Sequence, residues 1–189
     1  MTNIETEEEA KEFEILEKAL EDLSIKLKNY ANDKIKFTVG EKFELEKYHI
    51  SLLKVPKKVK GVYFLEILNE NRSLDFKEWM EDFRKKWDNA SIKNRPALVD
   101  KRIEKHSGIK DWIPFYMGKA ENIQFRVDQH ITLRAESSTY ALKLGAMENL
   151  KKETFRLSYV AIDTKHYDVI MHKIEQLLRD KYHPIIGKQ

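Results

Sequence analysis

Cysteine is absent from the 189-residue chain. That absence excludes disulfides, zinc sites built on thiolates and cysteine nucleophiles, and it suits a reducing compartment, so a cytoplasmic protein is expected. Long apolar runs are missing as well: no stretch approaches the roughly 20 residues that span a bilayer. The opening MTNIETEEEA is acidic and lacks the basic-then-apolar plan of a signal peptide, so no leader is expected. Charge of one sign is also lacking. Lys and Arg number 35 against 32 Asp and Glu, a formal net charge of +3, so bulk charge says little about a nucleic-acid partner. No internal repeat or low-complexity tract is visible.

What is present is an ordinary apolar content of 41% with a high charged content of 35%. The length suffices for one good core with an appendage, or for two small domains. Thr6 to about Tyr30 reads as one long helix opened by the capping-box pair Thr6 and Glu9. Its apolar residues Phe13, Leu16, Leu20, Leu23, Leu27 and Tyr30 follow a heptad period. Such a seam suits either docking on the same chain or a homodimer through residues 13–30. Ile35 to Val39 and Phe43 to Tyr48 read as short strands around Gly40. A boundary near Pro56 would divide an accessory region, 1–60, from a second region, 61–189.

The second region opens with a strand, Gly61 to Leu68. Asp75 to Trp87 is an amphipathic helix, with Phe76, Trp79, Met80, Phe83 and Trp87 on one face. A further helix is expected from Pro96 to about Gly108. Trp112 to Gly118 and Arg156 to Ile162 read as strands; 121–135, 139–150 and His166 to Tyr182 read as helices. Basic residues gather at Lys54, Lys57, Lys58 and Lys60, then at Lys85, Lys86, Lys93, Arg95, Lys101, Arg102 and Lys105. A surface that tracks a phosphate backbone needs such clusters, although any one of them suits a solvated helix face equally.

The stretch FYMGKAENIQFRVDQH, Phe115 to His130, carries the chemistry. A strand ends at Tyr116-Met117-Gly118, and the helix after it presents Arg126 and His130, four residues apart on one face. Glu175 lies at the edge of the last helix's apolar stripe, where a hard cation could keep part of its water shell. Taken singly, Tyr63 and Tyr116 are ordinary strand aromatics, Arg126 a surface charge, and His130 a satisfied helix histidine like His49, His106, His166, His172 and His183.

The ordered set Gly61-Val62-Tyr63, Tyr116-Met117-Gly118-Lys119, Arg126, His130 and Glu175 resembles the GIY-YIG nucleases over 61–68 and 112–187. Met117 replaces the family's usual Ile or Val. Gly187 stands three residues after Pro184, where the family carries asparagine. Residues 69–111 separate two strands that the family joins in a close hairpin. The resemblance implies an α+β fold: a small three-stranded, mainly antiparallel sheet flanked by helices, with a long N-terminal helix and a helical insertion between the first two core strands. It implies a nuclease domain over 61–189 that cuts DNA into 5′-phosphate and 3′-hydroxyl ends. Glu175 would hold Mg²⁺, for which Mn²⁺ can substitute. Arg126 would grip the phosphate and Tyr63 would act as general base. Tyr116 and His130 would orient water or phosphate, and Lys119 is a rival base.

The chain ends soon after this pattern, so sequence reading is expected from 1–60 or from the insertion. Lys85, Lys86, Lys93, Arg95, Lys101 and Arg102 are the residues expected to meet duplex DNA. The compact plan is similar to a restriction endonuclease. A non-cleaving DNA-binding protein and a ribonuclease with the same site are the alternatives.

Overall fold

A computed structural model of the chain describes residues 3–70, 75–88, 92–106, 108 and 111–187. Its strands are β1 (Thr38–Glu44), β2 (Gly61–Leu68), β3 (Ala97–Leu98), β4 (Trp112–Ala120), β5 (Thr154–Ala161) and β6 (Ile186–Gly187). The helices are α1 (Asn3–Asn29), α2 (Phe76–Asp88), the single turn α3 (Asp100–Ile103), α4 (Ile123–Thr132) and α5 (Tyr167–Tyr182). GVYFLEIL has almost no polar residue, so β2 can bury both its faces, and seven of its eight residues are buried. It forms the centre of the sheet, antiparallel to β5 on one side and to β4 on the other.

The expected sheet of three strands is corrected to one of six, mixed in direction, in the order β1-β5-β2-β4-β6-β3. The three expected strands are β2, β4 and β5. The first addition is β1, an edge strand against β5, so part of the region 1–60 joins the same sheet. It replaces the two short strands expected around Gly40. Its side chains are mostly exposed, so no apolar alternation marked it. The other additions, β3 and β6, have two residues each, too few to show a period, and β6 runs parallel to β4.

Side-chain alternation along β2 sorts the core into two layers. Tyr63, Leu65 and Ile67 face α2 and α4, with Trp79, Met80, Phe83, Trp87, Ile123, Val127 and Ile131. Val62 and Phe64 face α5, with Met171, Ile174 and Leu178. Each such side chain fully buried contributes about 1.5–3 kcal/mol. The α2 aromatics form a stacked ladder against Phe115, with Trp79 and Phe83 centroids 5.1 Å apart and Phe83 and Phe115 5.9 Å apart.

Two expected helices shrink to single turns. After Pro96 the chain runs extended through β3 before the one turn of α3. Residues 139–150 form only short 3₁₀ turns, Leu144–Ala146 and Glu148–Leu150. Ala141, Leu142, Lys143 and Leu144 are all buried in succession, which a helix resting on one face cannot achieve. α1 begins at Asn3, ahead of the expected start, and its C-terminal end docks, through Leu27, on the α5 side of the core. Phe13, Leu16 and Leu20 remain 68%, 58% and 61% exposed. No helix among the described residues is long and apolar enough to cross a membrane.

Candidate active site

Tyr63 on β2 faces Gly118 on β4 across the antiparallel pair. A Cβ at position 118 would lie 2.4 Å from the Tyr63 hydroxyl. Glycine there is therefore what gives the phenol its place. Between Leu65 and Glu66 the register slips by one residue, so Phe115 bulges. Tyr116 lies opposite Leu65 and packs from the same side as Tyr63, with ring centroids 6.2 Å apart.

The buried Tyr63 hydroxyl lies 2.7 Å from His130 Nε2 on α4. The backbone N–H of Leu142 donates to His130 Nδ1 at 3.0 Å. A backbone amide can only donate, so Nδ1 carries no proton and the neutral ring bears its hydrogen on Nε2. His130 therefore donates to Tyr63 and cannot take its proton. Tyr116 packs beside this pair, with its ring centroid 5.0 Å from that of His130.

The first turn of α4 is set by Asn122, whose side chain accepts from the Phe125 N–H at 3.2 Å, while Ile123, Val127 and Ile131 anchor the helix in the core. Arg126 is oriented by Gln129 Oε1 at 3.0 Å and by the Tyr140 carbonyl at 2.7 Å. The loop 133–143 thus supplies a carbonyl to Arg126 and an amide to His130. Lys143 holds that loop in place. Its fully buried Nζ reaches the carbonyls of Ser137 (2.7 Å), Ala135 (3.4 Å) and Lys93.

A cavity of about 430 Å³ opens beside β4. Tyr116, Lys119, Arg126 and Glu175 all line it, joined by Arg102, Tyr140, His172 and Arg179. Tyr63 and His130 stand behind Tyr116, away from the lining. β6 pairs with β4 only at Tyr116↔Ile186, which leaves room for the cavity between α4 and α5. Four cationic side chains face one carboxylate, so the cavity suits an anion with several oxygens. Arg179 lies 3.6 Å from Glu175 and keeps a buried Nε–H without an acceptor. Lys119 Nζ sits 5.0 Å from the Tyr167 ring centre.

Glu175 is the one carboxylate on that lining, and no cluster of three His, Cys, Asp or Glu suited to a metal occurs among the described residues. Magnesium is commonly held by one or two carboxylates with water and substrate phosphates completing its shell. The donor set fits an ion shared with a phosphate ligand, and does not form a closed metal cage.

Of the basic residues expected to meet DNA, only Arg102 enters this cavity. Lys86 is committed to Glu153 at 2.8 Å, and Arg95 stacks on Trp87 at 4.7 Å. Lys85, Lys93 and Lys101 are exposed.

Burial, and the nearby Tyr116, push the Tyr63 hydroxyl well above the usual tyrosine value; Arg126 works against them. Tyr116 is pushed up to about 12, chiefly by burial, while the Arg126 charge pulls it down. Burial, then the Arg126 charge, hold His130 well below the usual histidine value. A depressed histidine gives stability that is complete above pH 6.5 or so and is lost as pH falls, because the unfolded chain then binds a proton that the folded one refuses. Between pH 6.5 and 4.5 the unfolding free energy of wild type should fall more steeply than that of His130→Gln, by up to about 1.4 kcal/mol per pH unit. Equal slopes in urea titrations would show that the buried ring takes its proton freely.

No family model, curated protein or solved structure matches this chain. The residues missed in the sequence are instructive. His172, Glu175 and Arg179 recur at i, i+3 and i+7 on α5, a spacing that could have marked His172 and Arg179 as facing the same cavity. Gln129, Tyr140 and Lys143 act through hydrogen bonds that no spacing shows.

Proposed function

We propose that this chain is a nuclease of the GIY-YIG type that hydrolyses phosphodiester bonds in DNA. The observation that carries the reading is the convergence of Tyr116, Lys119, Arg126 and Glu175 on one cationic cavity. Arg126, already oriented by Gln129 and Tyr140, grips a non-bridging phosphoryl oxygen with its remaining donor capacity. Glu175 would hold Mg²⁺, or Mn²⁺ in its place, and such an ion supplies Lewis acidity to the phosphoryl and leaving oxygens. Water attacks phosphorus, its proton passes to the deprotonated Tyr116 oxygen, and the P–O3′ bond breaks; the leaving 3′-oxygen takes a proton from solvent, giving 5′-phosphate and 3′-hydroxyl ends.

The geometry favours Tyr116 over Tyr63 as the base. Tyr116 faces the cavity, whereas Tyr63 lies behind it against the buried His130; the Arg126 charge on the same lining favours the phenolate form of Tyr116. Lys119 adds positive charge to the same wall. Cleavage of plasmid DNA, with RNA and EDTA controls, tests the reading. Cleavage of RNA alone would assign the ribonuclease alternative, and binding of DNA without cleavage the non-cleaving one.

A single site of this kind cuts one strand at a time, so a double-strand break needs two copies or two visits. The exposed heptad seam of α1 fits a second copy of itself, since the same 3-4 spacing supplies knobs and holes on both helices. Light scattering should give a dimer for wild type and a monomer for Leu16→Glu/Leu20→Glu, which should nick plasmid faster than it linearises it. A wild type that stays monomeric with and without DNA removes this interface.

A further inference from the structure

The insertion 69–111 is fastened to the C-terminal segment that borders the cavity. β3 pairs antiparallel with β6 through Ala97↔Gly187 and Leu98↔Ile186. The Val99 N–H donates to the Ile185 carbonyl at 2.9 Å, and His106 Nε2 lies 2.7 Å from the His183 carbonyl. Between these ties, the one turn of α3 carries Arg102 to the cavity wall.

Gly187 lines the same wall, and a Cβ there would lie 2.6 Å from Arg102 Nη1. The guanidinium therefore fills the space that any side chain at 187 would claim. We propose that Arg102, delivered by the insertion and admitted by the missing side chain at Gly187, is a second substrate-binding arginine of the cavity, gripping the scissile phosphate together with Arg126.

Arg102 enters from the side of α3 and β6, and Arg126 from α4, so the two guanidiniums reach the cavity on different elements. Planar guanidiniums match phosphoryl oxygens two at a time. Burial, and then the charge of Arg179, lower the Arg102 pKa. Asp180 and Glu175 already oppose that repulsion, and a bound phosphate would oppose it further. The insertion then contributes to catalysis itself, and not only to grip on the outer backbone. This assignment builds on the phosphodiesterase reading of the cavity, but its test does not need turnover.

Binding of inorganic phosphate to the full-length protein, measured by titration calorimetry at low ionic strength, separates the two. Arg102→Ala should weaken binding about tenfold or more, and Arg102→Lys should recover only part, because a lysine cannot bind two oxygens at once. Gly187→Ala should weaken it less than Arg102→Ala, because the far end of a flexible side chain can shift from the new methyl. The double variant should be no weaker than Arg102→Ala alone, since both changes act on the same contact. Circular dichroism checks that each variant keeps its fold, and Arg102→Lys, which retains the charge and most of the stem, stands in should the alanine variant fail to fold. Phosphate binding unchanged in Arg102→Ala, additive losses in the double variant, or no phosphate binding by wild type would each overturn the inference. A wild type that binds phosphate in this Arg102-dependent way yet cuts neither DNA nor RNA would remove the nuclease reading and leave the arginine site standing.

Discussion

Glu175→Ala should lower the rate of plasmid cleavage in magnesium by about three orders of magnitude, with fold and most DNA affinity retained. The magnitude follows from its position. It is the only carboxylate among the described residues lining a cavity that otherwise carries Arg102, Lys119, Arg126 and Arg179. Among the described residues no second carboxylate lines the cavity to take over as cation ligand. Affinity for DNA is set by phosphate contacts, so removing a negative charge from a cationic wall should leave binding unchanged or slightly tighter. Its loss also frees Arg179, now 3.6 Å away, to reach further into the cavity. Gel-shift titration beside cleavage kinetics distinguishes the two effects. A variant that still cuts at the wild-type rate would remove the cation assignment.

Tyr116→Phe should cost at least about a hundredfold in turnover, more than Tyr63→Phe, and should change the pH dependence. A base works only when deprotonated, and Tyr116 is pushed up to about 12. Below that value its active fraction rises tenfold with each pH unit, so log kcat should climb with a slope near +1 across the neutral and mildly alkaline range. Tyr116→Phe should flatten that slope. Tyr63→Phe keeps the cavity-facing phenol and loses the hydroxyl that holds His130 behind it, so it should keep a rising profile at a lower rate. The reverse pattern, a flat profile in Tyr63→Phe and a rising one in Tyr116→Phe, would return the role of base to Tyr63.

The parts of this molecule that were legible in the chain are those with a strong period. β2, β4, β5, α2 and α5 each bury a face or a whole strand, and their apolar residues announce it. β1, β3 and β6 were not legible, one because it is an exposed edge, two because they hold two residues each. Their pairing is decided by backbone contacts between distant segments, as with Ala97 and Gly187. Lys143 misled for a different reason. A buried lysine among carbonyls has the same letter as a solvated one, and the helix expected over 139–150 gave way to the loop it fastens.

Within the site, the pairing of Tyr63 with Gly118 was open to reading, because close approach to a phenol demands a residue without Cβ. The direction of the hydrogen bonds was not. That His130 donates to Tyr63 follows from one backbone amide, that of Leu142, twelve residues along the chain. Nor could sequence show that Arg102, grouped with five other basic residues of the insertion, alone turns inward to the cavity.

Hydrolysis of phosphodiester bonds with a divalent cation is the proposed function of this cavity. Its most direct test is end-group analysis of plasmid DNA incubated with the wild-type protein, with magnesium and with EDTA. The expected result is cleavage in magnesium alone, with 5′-phosphate and 3′-hydroxyl ends that ligase rejoins without prior treatment. Intact DNA under both conditions, or cleavage undiminished in EDTA, would contradict it.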